Sequence, residues 1–138
     1  MDRAQLLRRG PIAAAALMIV GGLAPWVTVG GETLANGTEK DGVILIVLAV
    51  VAIVLSFVPA AQGRWPGIAL AVVGALGTLI CVIDLGSVSG DDSIGAVLAD
   101  PGWGLWLDLV ASILLLAVAL AALVVRRRDA RSPAAPAA

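Results

Sequence analysis

The sequence has no histidine, no tyrosine, one cysteine and one phenylalanine, and charged residues occupy only 14% of its 138 positions. Each shortage excludes some chemistry. Without histidine there is no imidazole base and no zinc site of the usual Cys/His type, and Ser-His or Cys-His nucleophile systems cannot be assembled. With Cys81 alone, the chain makes neither an internal disulfide nor a dithiol redox pair. No GxxxxGK[ST] run is present to cradle a nucleotide phosphate. An enzyme is not expected, and neither a cofactor nor a metal.

What fills the chain instead is apolar. Hydrophobic residues make up 60% of it and its mean hydropathy is +1.03, too little polar surface for a water-soluble domain of this size. The hydrophobic residues concentrate in four runs, 11–29, 42–61, 66–85 and 104–125. Each is close to the ~20 residues that a helix rising ~1.5 Å per residue needs to cross a ~30 Å hydrocarbon layer. Backbone groups in lipid must be satisfied within their own segment, so these runs predict helices even where Val and Ile favour strands in water. The expected fold is all-α: a four-helix transmembrane bundle over residues 11–125, preceded by a basic lead (1–10) and followed by a basic, then Ala/Pro-rich disordered tail (126–138).

The net charge of −1 conceals a segregation. Arg3, Arg8 and Arg9 precede the first run, Arg64 lies between the second and third, and Arg126, Arg127, Arg128 and Arg131 follow the fourth. Every arginine therefore falls on one side of the proposed bilayer, accompanied only by Asp2 and Asp129. The other side holds Glu32, Glu39, Asp41, Asp84, Asp91, Asp92, Asp100 and Asp108, relieved only by Lys40. Short loops rich in Arg and Lys stay in the cytoplasm, which places both termini inside a multi-pass protein of a bacterial plasma membrane. Its basic flanks suit anionic lipid headgroups rather than nucleic acid. A signal peptide cleaved after Ala24 would leave Pro25 just past the cut, a poor site, so the first run is read as a retained helix.

The connections carry weaker signals. "VTVGGETL" alternates around Gly30-Gly31 and is compatible with a small external hairpin. Asp92 or Ser93 provides an N-cap before Ile94, Val97 and Leu98, which suggests a short helix lying on the membrane surface and stopped by Pro101. Trp26, Trp65, Trp103 and Trp106 flank the runs, where interfacial anchors belong. Asn36-Gly37-Thr38 matches a glycosylation acceptor, read as a chance occurrence in a sequence of bacterial character.

Two carboxylates stand out because they lie inside apolar runs. Asp108 heads a stripe of Ala111, Ser112, Leu115, Ala119 and Ala122, at helical spacing, and Asp84 shares a face with Gly74, Gly77, Thr78 and Cys81. Small residues at such spacings let helix backbones approach closely, so both carboxylates are expected to face protein rather than lipid. With Asp41 they form candidate outer-mouth carboxylates. One reading makes Asp84 and Asp108 helix-end residues, with Asp108 accepting from nearby backbone or Ser112. The other makes them a cation or proton site with Asp41 and Lys40. The first is preferred, since a lone charge at headgroup depth is ordinarily solvated.

Pro25-Trp26 closing helix one, Asp41-Gly42 opening helix two and "GWGLWL" opening helix four together resemble a group of small four-helix, tryptophan-associated membrane proteins common in actinobacteria, some carried by actinobacterial phages. The resemblance covers most of residues 11–125 and implies an integral plasma-membrane protein with no catalytic residues to carry over. The functional expectation is a non-enzymatic protein acting through helix packing with itself or a membrane complex, in an accessory, scaffold or exclusion role. The alternative is a small oligomeric cation channel or carrier. Expected partners are membrane lipids and a second copy or another membrane protein, with no nucleic acid and no identifiable small-molecule substrate.

Overall fold

The computed structural model describes residues 3–58, 64–90 and 99–129. It is mostly helical: α1 (Arg3–Leu23), α2 (Gly42–Ser56), α3 (Trp65–Gly90) and α4 (Trp103–Asp129) account for most of the chain. Three short strands, β1 (Pro25–Val29), β2 (Glu32–Asn36) and β3 (Ala99–Pro101), add a small sheet ordered β2-β1-β3. The surface helix expected near Asp92–Leu98 and the tail beyond 129 lie outside the described residues.

Two helices, Trp65–Ser87 and Trp103–Arg128, are long and apolar enough to cross a membrane, while Arg9–Leu23 and Gly42–Ser56 are shorter apolar helices. The first run departs most from expectation. It is helical from Arg3, absorbing most of the basic lead, and it stops at Leu23 rather than continuing to residue 29. Pro25 supplies no backbone donor, and the β-branched Val27, Thr28 and Val29 suit a strand; both favour leaving the helix here. The second run ends at Ser56, not Ala61. There Ser56 Oγ donates to the Ala52 carbonyl at 2.7 Å, and Pro59 disfavours helical geometry in the residue before it.

Glycines record how the helices meet. A Cβ on Gly10 would touch Val118, one on Gly67 would touch Leu123, and one on Gly74 would fall 2.7 Å from the Leu116 backbone nitrogen. These pairings run α1 and α3 antiparallel to α4, and Gly22 against Gly42 and Ile46 does the same for α1 and α2. The buried set is accordingly small: Ala14, Ala15, Ala49, Ala52, Ala111 and Ala119 lie inside, with Met18, Leu45 and Leu115 filling between them. Large side chains point outward, including Val20, Val47, Val54, Ile68, Val72, Leu79, Ile83, Val110, Ile113 and Leu120.

The sheet sits at the end of the bundle where α1 and α3 finish and α2 and α4 begin. Gly30 and Gly31 have φ of 57° and 90°, and two consecutive positive φ values are what a two-residue hairpin turn of matching twist requires. β1 and β2 pair antiparallel from Val29↔Glu32, with register shifts on both sides of Val27. β3 joins the other edge of β1 through Thr28↔Asp100, with Thr28 Oγ1 donating to the Asp100 carbonyl at 3.3 Å. Gly102 N–H donates to the Trp26 carbonyl at 2.7 Å. The chain between α1 and α2 is thereby tied to the chain between α3 and α4. Arg9, Arg64 and Arg126–Arg128 lie at the opposite end of the bundle.

Candidate functional site

The two helices that run away from the sheet end, α2 and α4, begin differently. α2 opens at Asp41, whose backbone carbonyl accepts from Ile44 N–H at 2.9 Å while its exposed side chain makes no capping bond. α4 opens under the sheet. Its first turns carry Leu105 and Asp108 inward, at 1% and 0% exposure, followed by Ala111, Ser112, Leu115 and Ala119, all buried. The helical spacing of that stripe therefore marks the buried face of α4, with Ala122 only half-buried at its far end.

Trp26 is placed differently from expectation. It is no interfacial anchor: it is 1% exposed and among the largest fully buried side chains. The register shift between Pro25 and Val27 leaves Trp26 out of the strand pairing, and bulges of this sort re-aim a side chain. The indole turns into the bundle, where Nε1 donates to the Gly21 carbonyl at 3.1 Å. Gly37 accommodates its edge, since a Cβ there would lie 2.6 Å from Nε1. Trp65, Trp103 and Trp106 are exposed.

Beneath Trp26, the Asp108 carboxyl lies directly against α1. A Cβ on Gly21 would fall 2.6 Å from both its Cγ and Oδ1, so only glycine leaves it room. One turn along α4, Ser112 faces Gly77 of α3 in the same way, with a Cβ there 2.7 Å from Oγ and 3.2 Å from the Met18 methyl. Cys81, a buried free thiol, adjoins Ser112 and is within electrostatic reach of both Asp108 and Asp84. Three helices thus close on one buried polar cluster. Asp108 Oδ1, Asp108 Oδ2 and Ser112 Oγ are all buried, and none has a hydrogen-bond partner. The expected acceptance by Asp108 from backbone or Ser112 is not realised, and the carboxylate is buried.

Asp84 is half-buried nearer the sheet, with Oδ2 also unpartnered; Ser87 Oγ donates to its backbone carbonyl at 2.8 Å. A small cleft lined by Trp26, Val27, Lys40, Asp84, Ser87 and Leu105 opens here, and Asp41 lies within electrostatic reach. The three outer-mouth carboxylates therefore occupy different levels: Asp41 at the surface, Asp84 in the cleft, and Asp108 sealed below Trp26 and Leu105. Among the described residues no group of three or more His, Cys, Asp or Glu is arranged to hold a metal ion.

The fold and pocket define a mostly helical four-helix protein with a sheet closing one end over a buried carboxylate. Compared with known proteins, the chain matches no family model, no curated protein and no solved structure.

Proposed function

We propose that this is a multi-pass protein of the bacterial plasma membrane, with all four helices spanning the bilayer, both termini cytoplasmic and the sheet outside. It is non-enzymatic and works by packing its helices against a second copy or another membrane protein. The observation that carries this reading is the inversion of its interior and exterior. Asp108, Ser112 and many alanines share the inside with a few large side chains such as Met18, Leu45 and Leu115, while most of the Val, Leu and Ile cover the outside. Water would penalise that exterior by roughly 25 cal/mol for each Å² of apolar surface, whereas lipid does not. In lipid, close backbone approach through small residues is what holds helices together.

The gathering of arginines at one end and carboxylates at the other supports the orientation. The short α2 is offset in sequence by the apolar residues up to Ala61, and small mismatches with the hydrocarbon thickness are inexpensive. A conducting oligomer would want polar groups through the middle of the bundle. Below Ser112 the buried side chains include Leu115, Ala119, Ala15 and Ala14, which favours the packing role.

The test is extraction of the full chain at native abundance into lipid discs, followed by cross-linking and identification of co-purifying chains. A stable homo- or hetero-oligomer is expected. Discs holding one solitary copy would overturn the packing role.

A further inference from the structure

We propose that Asp108 and Ser112, closed in by α1, α3 and α4, form an occluded site for one small monovalent cation, either a proton or a sodium ion, reached only from the sheet end. The proposal does not depend on the packing role above.

A bare carboxylate is among the most costly groups to hold in a dry interior, and buried carboxylates are paired, hydrogen-bonded or neutralised. Asp108 is 0% exposed and neither oxygen has a partner at hydrogen-bond distance, the nearest donor being the Trp26 indole, whose N–H is already given to Gly21. Ser112 Oγ, also 0% exposed and beside the Cys81 thiol, is likewise without a bond one turn away. Three buried oxygen atoms without a bond at one junction are the donor set that a small cation would use. No side chain of the protein supplies the missing positive charge among the described residues: Lys40 lies exposed at the cleft with Asp84, and Arg9, Arg64 and Arg126–Arg128 are at the far end of the bundle. The titratable groups facing Asp108 are Cys81 and, beyond it, Asp84, both on α3; neither brings positive charge.

The chemistry of the pocket selects the occupant. Divalent calcium or magnesium demands six or more oxygen ligands, usually with several carboxylates; here there is one carboxylate and, a turn further along α4, one hydroxyl. A single negative charge balances a single positive one. Gly21 and Gly77 keep the pocket tight, which admits only a very small occupant.

Access is one-sided. Trp26 and Leu105 line the outer cleft and also roof Asp108, so a small displacement of the indole joins cleft to pocket. Toward the other end Met18, Leu115, Ala15 and Ala119 are packed without a polar group. The cation enters and leaves on the same side, so its binding alters the bundle and the sheet above it without transport.

The full chain in lipid discs tests the proposal by infrared spectroscopy and thermal unfolding at neutral pH. A bound proton gives a carboxylic-acid C=O band that is absent in Asp108→Asn and insensitive to sodium. A bound sodium ion gives no such band, but replacing choline chloride with sodium chloride raises the unfolding temperature in wild type and not in Asp108→Asn. Asp108→Asn preserves side-chain size, and Ser112→Ala provides a second variant, in which the half-saturating sodium concentration for that rise increases at least tenfold. Absence of both the Asp108-dependent band and the sodium-dependent rise overturns the proposal.

Discussion

At the scale of single residues, the glycines decide how close the helices stand, and their neighbours decide what an added methyl costs. At Gly74 the new Cβ meets the α4 backbone, 2.7 Å from Leu116 N and 2.9 Å from its Cα. Neither atom can give way without moving a helix. Gly74→Ala should destabilise the bundle by about 1–3 kcal/mol, the usual cost of overpacking, measured by reversible unfolding in mixed micelles. At Gly67 the neighbour is the mobile end of Leu123, with Cδ2 at 2.9 Å. A rotamer change relieves it, and alanine's advantage of up to ~1 kcal/mol in a helix then makes Gly67→Ala neutral or stabilising. Trp26→Phe removes the indole donor to Gly21 O. Since Ala24 N–H still donates to that carbonyl at 3.0 Å, the loss should stay near 1 kcal/mol in the same unfolding assay.

Residues also show what was legible beforehand. The inward face of Asp108 follows from the small residues that succeed it at helical spacing. Its lack of any partner does not, because partners come from α1 and α3, whose approach is set by packing. Trp26 beside a proline at a helix end reads as a boundary residue; only a register shift in β1, itself dependent on β2 and β3, turns it inward.

At the scale of elements, the sheet is what ties the α1–α2 and α3–α4 connections together. The Gly30-Gly31 turn was readable from its flanking alternation and its two glycines. Pro25 marked where α1 stops, but Val27 and Val29 continue its hydrophobicity, so the apolar run alone overran the helix to residue 29. β3 has no local signal, since three residues acquire strand geometry only by pairing with β1 across the sequence. The positive φ values make a direct prediction for the turn. Gly30→Val places a branched side chain at φ 57° and should cost ~1–2 kcal/mol, whereas Gly30→Asn, a residue tolerant of that geometry, should be close to neutral. Unfolding of the two variants, with amide exchange on Thr28 and Asp100, separates them: only the valine variant should lose protection.

At the scale of the whole molecule, two asymmetries coincide. Alanines, Ser112 and Asp108 share the interior with a few large side chains while most large apolar ones cover the outside, and positive charge gathers at one end with negative charge at the other. The four apolar runs made the helices legible. The order in which they pack, with α4 between α1 and α3, was not, because every face of each run is apolar and only glycine positions distinguish them.

The orientation across the membrane is the claim on which the functional reading stands, and Cys81 makes it directly measurable, because its thiol is buried. A thiol reagent that cannot cross lipid bilayers can therefore read cysteines introduced singly, Leu34→Cys in the exposed part of β2 and Ser132→Cys in the tail. In spheroplasts, position 34 should label at once and position 132 only after the membrane is opened. Equal labelling of both positions in sealed spheroplasts would contradict it.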